Sequence, residues 1–153
     1  MGELGFRKRI LADKDTMAFN QSGGGAIDFD ESKWDTWFAK WIGRKNPNLF
    51  YAYIYDAESH APVGEVSYRF EESSGCVEIG IIIDAAHRGA GYGRTGLRAL
   101  VETAFKNGFS RLRDVIHKDN AGSHALFESI GFKRIGETED GYDYRLGAAE
   151  YKG

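Results

Sequence analysis

Residues 76–83 read CVEIGIII and are followed by Asp84-Ala85-Ala86-His87, by Arg88-Gly89-Ala90-Gly91-Tyr92-Gly93, and then by an apolar stripe of helical period. No other succession in the chain limits its fold as tightly. A short apolar run rich in β-branched residues reads as a buried strand. Leu97, Leu100, Val101, Ala104 and Phe105 fall at i, i+3, i+4, i+7 and i+8, which predicts a helix over 92–106 stopped by Asn107-Gly108. The glycines between strand and helix let the backbone come close to a ligand. The first amides of that helix have no partner within it, and with the helix dipole they favour a phosphate or pyrophosphate. Arg88 and Arg94 are placed to add charge-assisted contacts.

The remaining chain supplies more strands than helices. Residues 5–11 (GFRKRIL) read as a short first strand, and Asp13 as the cap of a brief helix. The basic run Arg7-Lys8-Arg9 then decorates an exposed strand edge. A Ser-Gly-Gly-Gly run at 22–25 breaks regular structure. Trp34, Trp37, Phe38, Trp41 and Ile42 form one face of an amphipathic helix over 31–43, and such regular spacing points to core packing. Strand-like runs follow at 49–55, 63–70 and 76–83, joined by short turns as in an antiparallel meander. After the helix at 92–106 come a strand near 111–117, a helix over 121–130 between Asn120 and Gly131, and two strands around the Asp140-Gly141 turn. The order predicts a mixed α/β (α+β) layer in one domain, with helices packed on a largely antiparallel twisted sheet of about seven strands.

Charge and composition remove several classes. A net charge of −3 and a sequence pI near 5.8 argue against a nucleic-acid binder. The single cysteine, Cys76, forms no intramolecular disulfide and is expected buried. Charges at Glu3, Arg7, Lys8 and Arg9 interrupt any signal-like run, and residues 79–83 are too short to span a bilayer, so a cytoplasmic chain with no membrane partner is expected. No metal site is expected. Gly91-x-Gly93-x-x-Gly96 also fits a dinucleotide fingerprint, which implies an NAD(P)-dependent oxidoreductase. Against that reading, the motif does not follow its strand directly, the preceding strands look antiparallel, and the acidic residue at suitable spacing, Asp114, falls mid-strand.

Arg88-Gly89-Ala90-Gly91-Tyr92-Gly93 resembles the R/Q-x-x-G-x-G/A motif of the GNAT superfamily of N-acetyltransferases. VEIGIIID at 77–84 resembles the family's fourth strand. Asn120-Ala-Gly-Ser123 through Gly131-Phe132 resembles its N-x-x-[SA]…GF motif. Together the three cover about residues 63–135 in the right order. The resemblance implies a single GNAT-like domain across 1–153, with acetyl-CoA as co-substrate. It places the pyrophosphate on Arg88, Gly89, Ala90, Gly91, Tyr92 and Gly93, extending to Arg94 and Thr95. It runs the pantetheine arm along the main chain of Ile81, Ile82 and Ile83 in the manner of an added strand, and sets Asn120 and Ser123 near that arm.

The implied reaction is direct attack of a primary amine, on a small molecule or a peptide, upon the thioester. Such an amine has a pKa near 10.4 and must first lose a proton. Glu78 resembles the glutamate that many family members carry as the base. The usual acid is a tyrosine, and its place is taken here by Phe127. With a thiol pKa of about 8.5, the missing proton at neutral pH concerns roughly 2 kcal/mol, so its loss slows transfer without forbidding it. His117, His124, Tyr142 and Tyr144 are candidate substitutes. Phe127 also keeps open an acyl-CoA-binding module that transfers nothing. Asp28, Asp30, Glu31 and Asp35 are acidic residues that suit a cationic acceptor or, more simply, a helix start. A homodimer accords with the resemblance.

Overall fold

The computed structural model describes residues 4–20 and 24–153. Its six strands are β1 (Leu49–Tyr55), β2 (Pro62–Glu71), β3 (Cys76–Ile83), β4 (Arg111–Ile116), β5 (Lys133–Thr138) and β6 (Gly141–Gly147). They form one sheet in the order β1-β2-β3-β4-β6-β5, antiparallel at every pair but β3–β4. Helices α3 (Tyr92–Lys106) and α4 (Ala121–Ile130) cover one face. Leu97, Leu100, Val101 and Ala104 of α3 and Phe127 and Ile130 of α4 bury against Val66, Tyr68, Val77, Ile79, Leu112, Ile116, Tyr144 and Leu146. The expected α+β layer is present with six strands in place of seven, and Cys76 is buried as expected.

The missing strand is the first. Residues 5–11 belong instead to α1 (Leu4–Ala12), which lies on the opposite sheet face with α2 (Trp34–Phe38). Leu4, Ile10 and Leu11 are buried, and Arg7 sits three residues from Leu4 and four from Leu11 on the same side. A cation inside the buried stripe disguises its helical period. The basic run is therefore no strand edge: Arg7 pairs with Glu65 on β2, and Arg9 meets Asp84 at 2.8 Å. Asp13 accepts a hydrogen bond from the Thr16 amide at 3.2 Å and closes a turn, not a helix start.

The tryptophan segment is helical throughout 31–43 but changes pitch. A 3₁₀ turn at Glu31–Lys33 leads into α2, and a wider π turn occupies Ala39–Gly43. Trp34 and Trp37 pack beside Phe29, and Trp37 meets Tyr51 edge-on with centroids 4.6 Å apart. The expected core packing is nonetheless partial: none of the face is fully buried, Ile42 is exposed, and Trp37, Phe38 and Ile42 line a small cavity against β1. Of the 22–25 run, Ser22 and Gly23 lie outside the described residues, while Gly24 and Gly25 take φ of +90° and +78°. No helix among the described residues is long and apolar enough to cross a membrane.

Gly64 sets the approach of β2 to β3. It pairs with Ile83, and a Cβ there would stand 2.5 Å from the Ile82 carbonyl oxygen. Gly64→Ala is expected to cost about 1–3 kcal/mol, because backbone must move to admit the methyl group. Urea denaturation reads this directly, and an unchanged midpoint would show that the two strands part freely.

Candidate functional site

Strands β3 and β4 run together for two rungs, Val77–Leu112 and Glu78–Arg113. Past them the strands diverge. Ile79–Ile83 remain paired with β2 along one edge, while β4 continues with β6 as far as Ile116–Tyr142. A cavity of about 510 Å³ lies at the parted end. Ile81, Ile82 and Ile83 form one wall, Asn120, Gly122, Ser123 and Leu126 of the α4 segment another. The start of α3 closes the end with His87, Arg88, Gly89, Tyr92 and Gly93, and the loop residues Thr16, Met17, Phe19 and Asn20 cover the front.

Local sequence builds the α3 end of this cavity. Gly91 is the helix cap residue, with φ of +89° and no side-chain cap bond, and Gly89 has φ of +80°. A residue with a Cβ is disfavoured at such φ, and the first-turn amides of α3 are left without a side-chain acceptor. A Cβ on Gly93 would stand 3.3 Å from Leu126 and 3.8 Å from Ile83, so the missing side chain is cavity space. The Tyr92 hydroxyl donates to Asp56 after β1, which fixes this helix end against the β1–β2 turn. The Ser59 backbone amide and then the Tyr92 hydroxyl pull the Asp56 carboxyl down to about 2.

Of the residues expected to hold coenzyme A, the cavity gathers Ile81, Ile82, Ile83, Arg88, Gly89, Tyr92, Gly93, Asn120 and Ser123. Ala90, Gly91, Arg94 and Thr95 stand outside its lining, all four exposed. The Arg88 guanidinium donates to the Thr16 carbonyl at 2.8 Å and so ties down the front loop. Thr16 Oγ1 in turn accepts from the Ala85 amide at 3.0 Å. Asn120 caps α4, its side chain accepting from the Ser123 amide at 3.2 Å. Sequence reasoning missed His87, Gly122, Leu126 and the Thr16–Asn20 loop. Gly122 and Leu126 were reachable by counting a helical turn along α4; the loop carries no local signal.

Glu78 occupies the last paired rung and faces away from Val77 and Ile79. Its carboxylate meets Arg69 at 3.0 Å and Arg113 at 3.5 Å, with the side chain 39% exposed. It does not line the cavity. Phe127 is buried against Phe132 and Tyr144. The four candidate substitutes for the missing acid also stand outside the cavity lining. Tyr144 donates to Glu128 at 3.1 Å, and His124 lies over Tyr142 and Tyr144. His117 belongs to a second cavity of about 520 Å³ with Phe19, Lys118, Asp119, Glu139, Asp140 and Gly141. Phe19 is shared by the two cavities, its ring 5.6 Å from that of His117. Asp28, Asp30, Glu31 and Asp35 line neither one; Asp30 caps the turn at Ser32 and Glu31 lies 3.8 Å from Lys8, as a charged helix start would.

Residues 2–133 match the family described as Acetyltransferase (GNAT) domain. The chain is 34% identical over 79 residues to an N-acetylaspartate synthetase of Danio rerio, a match covering 51% of this chain and 28% of that protein. It is 33% identical over 93 residues to the uncharacterized N-acetyltransferase YobR of Bacillus subtilis (strain 168), covering 61% of this chain and 35% of that one. The chain thus spans about a third of the length of these relatives. Among solved structures, spermidine N-acetyltransferase from Vibrio cholerae, in complex with CoA and spermine, superposes with a TM-score of 0.81 at 17% identity, covering 99% of this chain and 94% of that one. A phosphinothricin acetyltransferase from Sinorhizobium meliloti, in complex with AcCoA, gives 0.73 at 20% identity, covering 99% and 90%. At such identities these two structures establish the fold.

Proposed function

The chain belongs to the GNAT acetyltransferases, and from that premise we propose that it transfers an acetyl group from acetyl-CoA to a primary amine by direct attack. The observation that carries this reading is the parted β3–β4 seam, which leaves one edge of the Ile81–Ile83 backbone beside a helix start opened by glycines. The Gly89–Gly93 turn would take the pyrophosphate on backbone amides, with Arg94 and Thr95 at its outer rim. The arm would then lie along Ile83 to Ile81, beneath Asn120 and Ser123. Calorimetric titration with acetyl-CoA, with NAD as control, is expected to give saturable binding of acetyl-CoA alone. Binding of NAD alone would revive the dinucleotide reading, from which the antiparallel β2–β3 pair and the turn at Ala85–His87 argue away.

The acceptor is a cationic amine until it loses its proton, and the polyamine named for the Vibrio cholerae neighbour agrees with that class. The second cavity, at the His117 end of β4, lies toward the entrance of the arm and away from Glu78. Glu78 serves as the base, through water, on the sheet face away from α3 and α4. Glu78→Gln is expected to lower kcat by roughly 100-fold, the effect of removing a general base, with little change in acetyl-CoA affinity. Retention of full kcat would move the base elsewhere.

Phe127 favours a second reading, a module that binds acyl-CoA and transfers nothing. Thiol release from bound acetyl-CoA separates the two.

A further inference from the structure

Asp114 is the titratable group at the seam that the reading above leaves unused. It follows Arg113, the last residue of β4 to pair with β3. Strand alternation puts it on the same face as Leu112 and Ile116, both in the core beneath α3 and α4. Its cross-strand partner is Tyr144, whose ring Phe127 touches from α4. Asp114 is half-buried where the strands begin to part, on the side of the sheet from which the family's tyrosine would act and Phe127 does not.

Reach agrees with this placement. The pantetheine arm has the backbone length of about four residues, so fully extended it covers about 14 Å. Four residues of strand, from Ile83 back to Ile79, span about 13 Å. Continuing the register Val77–Leu112 and Glu78–Arg113 by one rung sets Asp114 level with Ile79. Asp114, like Glu78, stands outside the cavity lining, beyond its Ile81 end; a fully extended arm entering beside Ile83 has the length to reach that level. Resting on the acetyl-transfer reading, we propose that Asp114 is the proton donor to the departing coenzyme A thiol, in the role that Phe127 has lost.

The chemistry balances. The amine loses a proton to solvent by way of Glu78 and its nitrogen attacks the thioester carbon. The C–S bond breaks, the sulfur takes the carboxyl proton of Asp114, and the second nitrogen proton replaces it. One proton is released per turnover. Burial, and then the neighbouring carboxylates of Glu78 and Asp143, push the Asp114 carboxyl up to about 8, against the opposing effects of the Val115 amide and Arg113. Its cross-strand partner Tyr144 is itself held from α4, by a hydrogen bond to Glu128 and by the His124 ring. An acid near 8 is matched to a thiol near 8.5 and holds its proton at pH 7. Two carboxyls on opposite faces of one seam thus divide the work, Glu78 as base and Asp114 as acid.

The test uses thiol release from acetyl-CoA with hydroxylamine as probe acceptor, a nucleophile already neutral at pH 7, so that the base step drops out. Asp114→Asn is expected to bind acetyl-CoA by calorimetry as the unmodified protein does. Its kcat should fall by roughly 30-fold, the cost of expelling an unprotonated thiol 1.5 pK units from neutrality. The alkaline fall in rate, centred at about 8 in the unmodified protein, should vanish. If the variant keeps both kcat and that alkaline fall, Asp114 is not the donor while acetyl transfer stands. An unmodified protein that binds no acetyl-CoA, or releases no thiol, overturns the transfer reading and Asp114 with it. Should the variant misfold, carbon-detected NMR of the unmodified protein decides. A carboxyl titrating at about 8 and shifting on addition of CoA supports the assignment, and one titrating in the ordinary range near 4 overturns it.

Discussion

Replacing Glu65 by leucine is expected to cost the fold about 3–5 kcal/mol, the penalty for leaving one member of a buried ion pair unpaired. Glu65 and Arg7 have side chains only 7% and 17% exposed. Arg7 lies over Trp37, Phe29 and Tyr51 with centroids at 4.6, 5.0 and 5.4 Å, and its Nε is already buried without a partner among the described residues. The Tyr51 hydroxyl donates to the second oxygen of Glu65. Burial, then the Glu65 carboxylate, hold that phenol far above its usual range, so it remains a neutral donor. Leucine would leave a guanidinium among aromatic rings and strand the phenol. Replacing Arg7 by methionine in the same chain should recover most of the loss, since a matched apolar pair avoids desolvating charge. Urea denaturation of the single and double variants measures both. A single-variant loss below about 1 kcal/mol would show that water reaches the pair as at a surface bridge.

The second large effect falls on ligand binding. Gly93→Leu puts a side chain into the space between Leu126 and Ile83, where the first atom alone would stand 3.3 Å from Leu126. Acetyl-CoA affinity is expected to drop by at least roughly 100-fold, or about 2.7 kcal/mol, because the arm and the branched side chain compete for one volume. Ala99→Leu, on the exposed side of the same helix, adds the same side chain away from the cavity and should leave affinity unchanged. Calorimetry on the two variants separates a steric effect in the cavity from a general effect on α3. Equal affinities would place the ligand elsewhere.

The sequence revealed most where the determinants are local. The strands from Leu49 to Ile83, the stripe of α3 and the Asn120 and Gly131 ends of α4 come from period and capping within a few residues, and all appear where expected. Residues 4–12 failed for the opposite reason. Arg7 belongs inside because of Glu65, 58 residues away, and no window of neighbours contains that information. The candidate site divides likewise. Its glycine turn and isoleucine wall were legible, whereas the Thr16–Asn20 cover depends on Arg88, 72 residues on, reaching back to the Thr16 carbonyl. Asp114 was visible as a mid-strand acid. Its meaning depends on where β3 and β4 separate, which belongs to the sheet and not to either strand.

That separation also bears on how the molecule holds together. The sheet consists of two three-stranded leaves, β1–β3 and β4–β6, stitched along the middle by two rungs of backbone. A donor threaded between them would close the seam like a zip, replacing rungs the chain itself does not make. Affinity for such a molecule is also stability of the fold, since whatever binds only the closed leaves draws the whole population toward them.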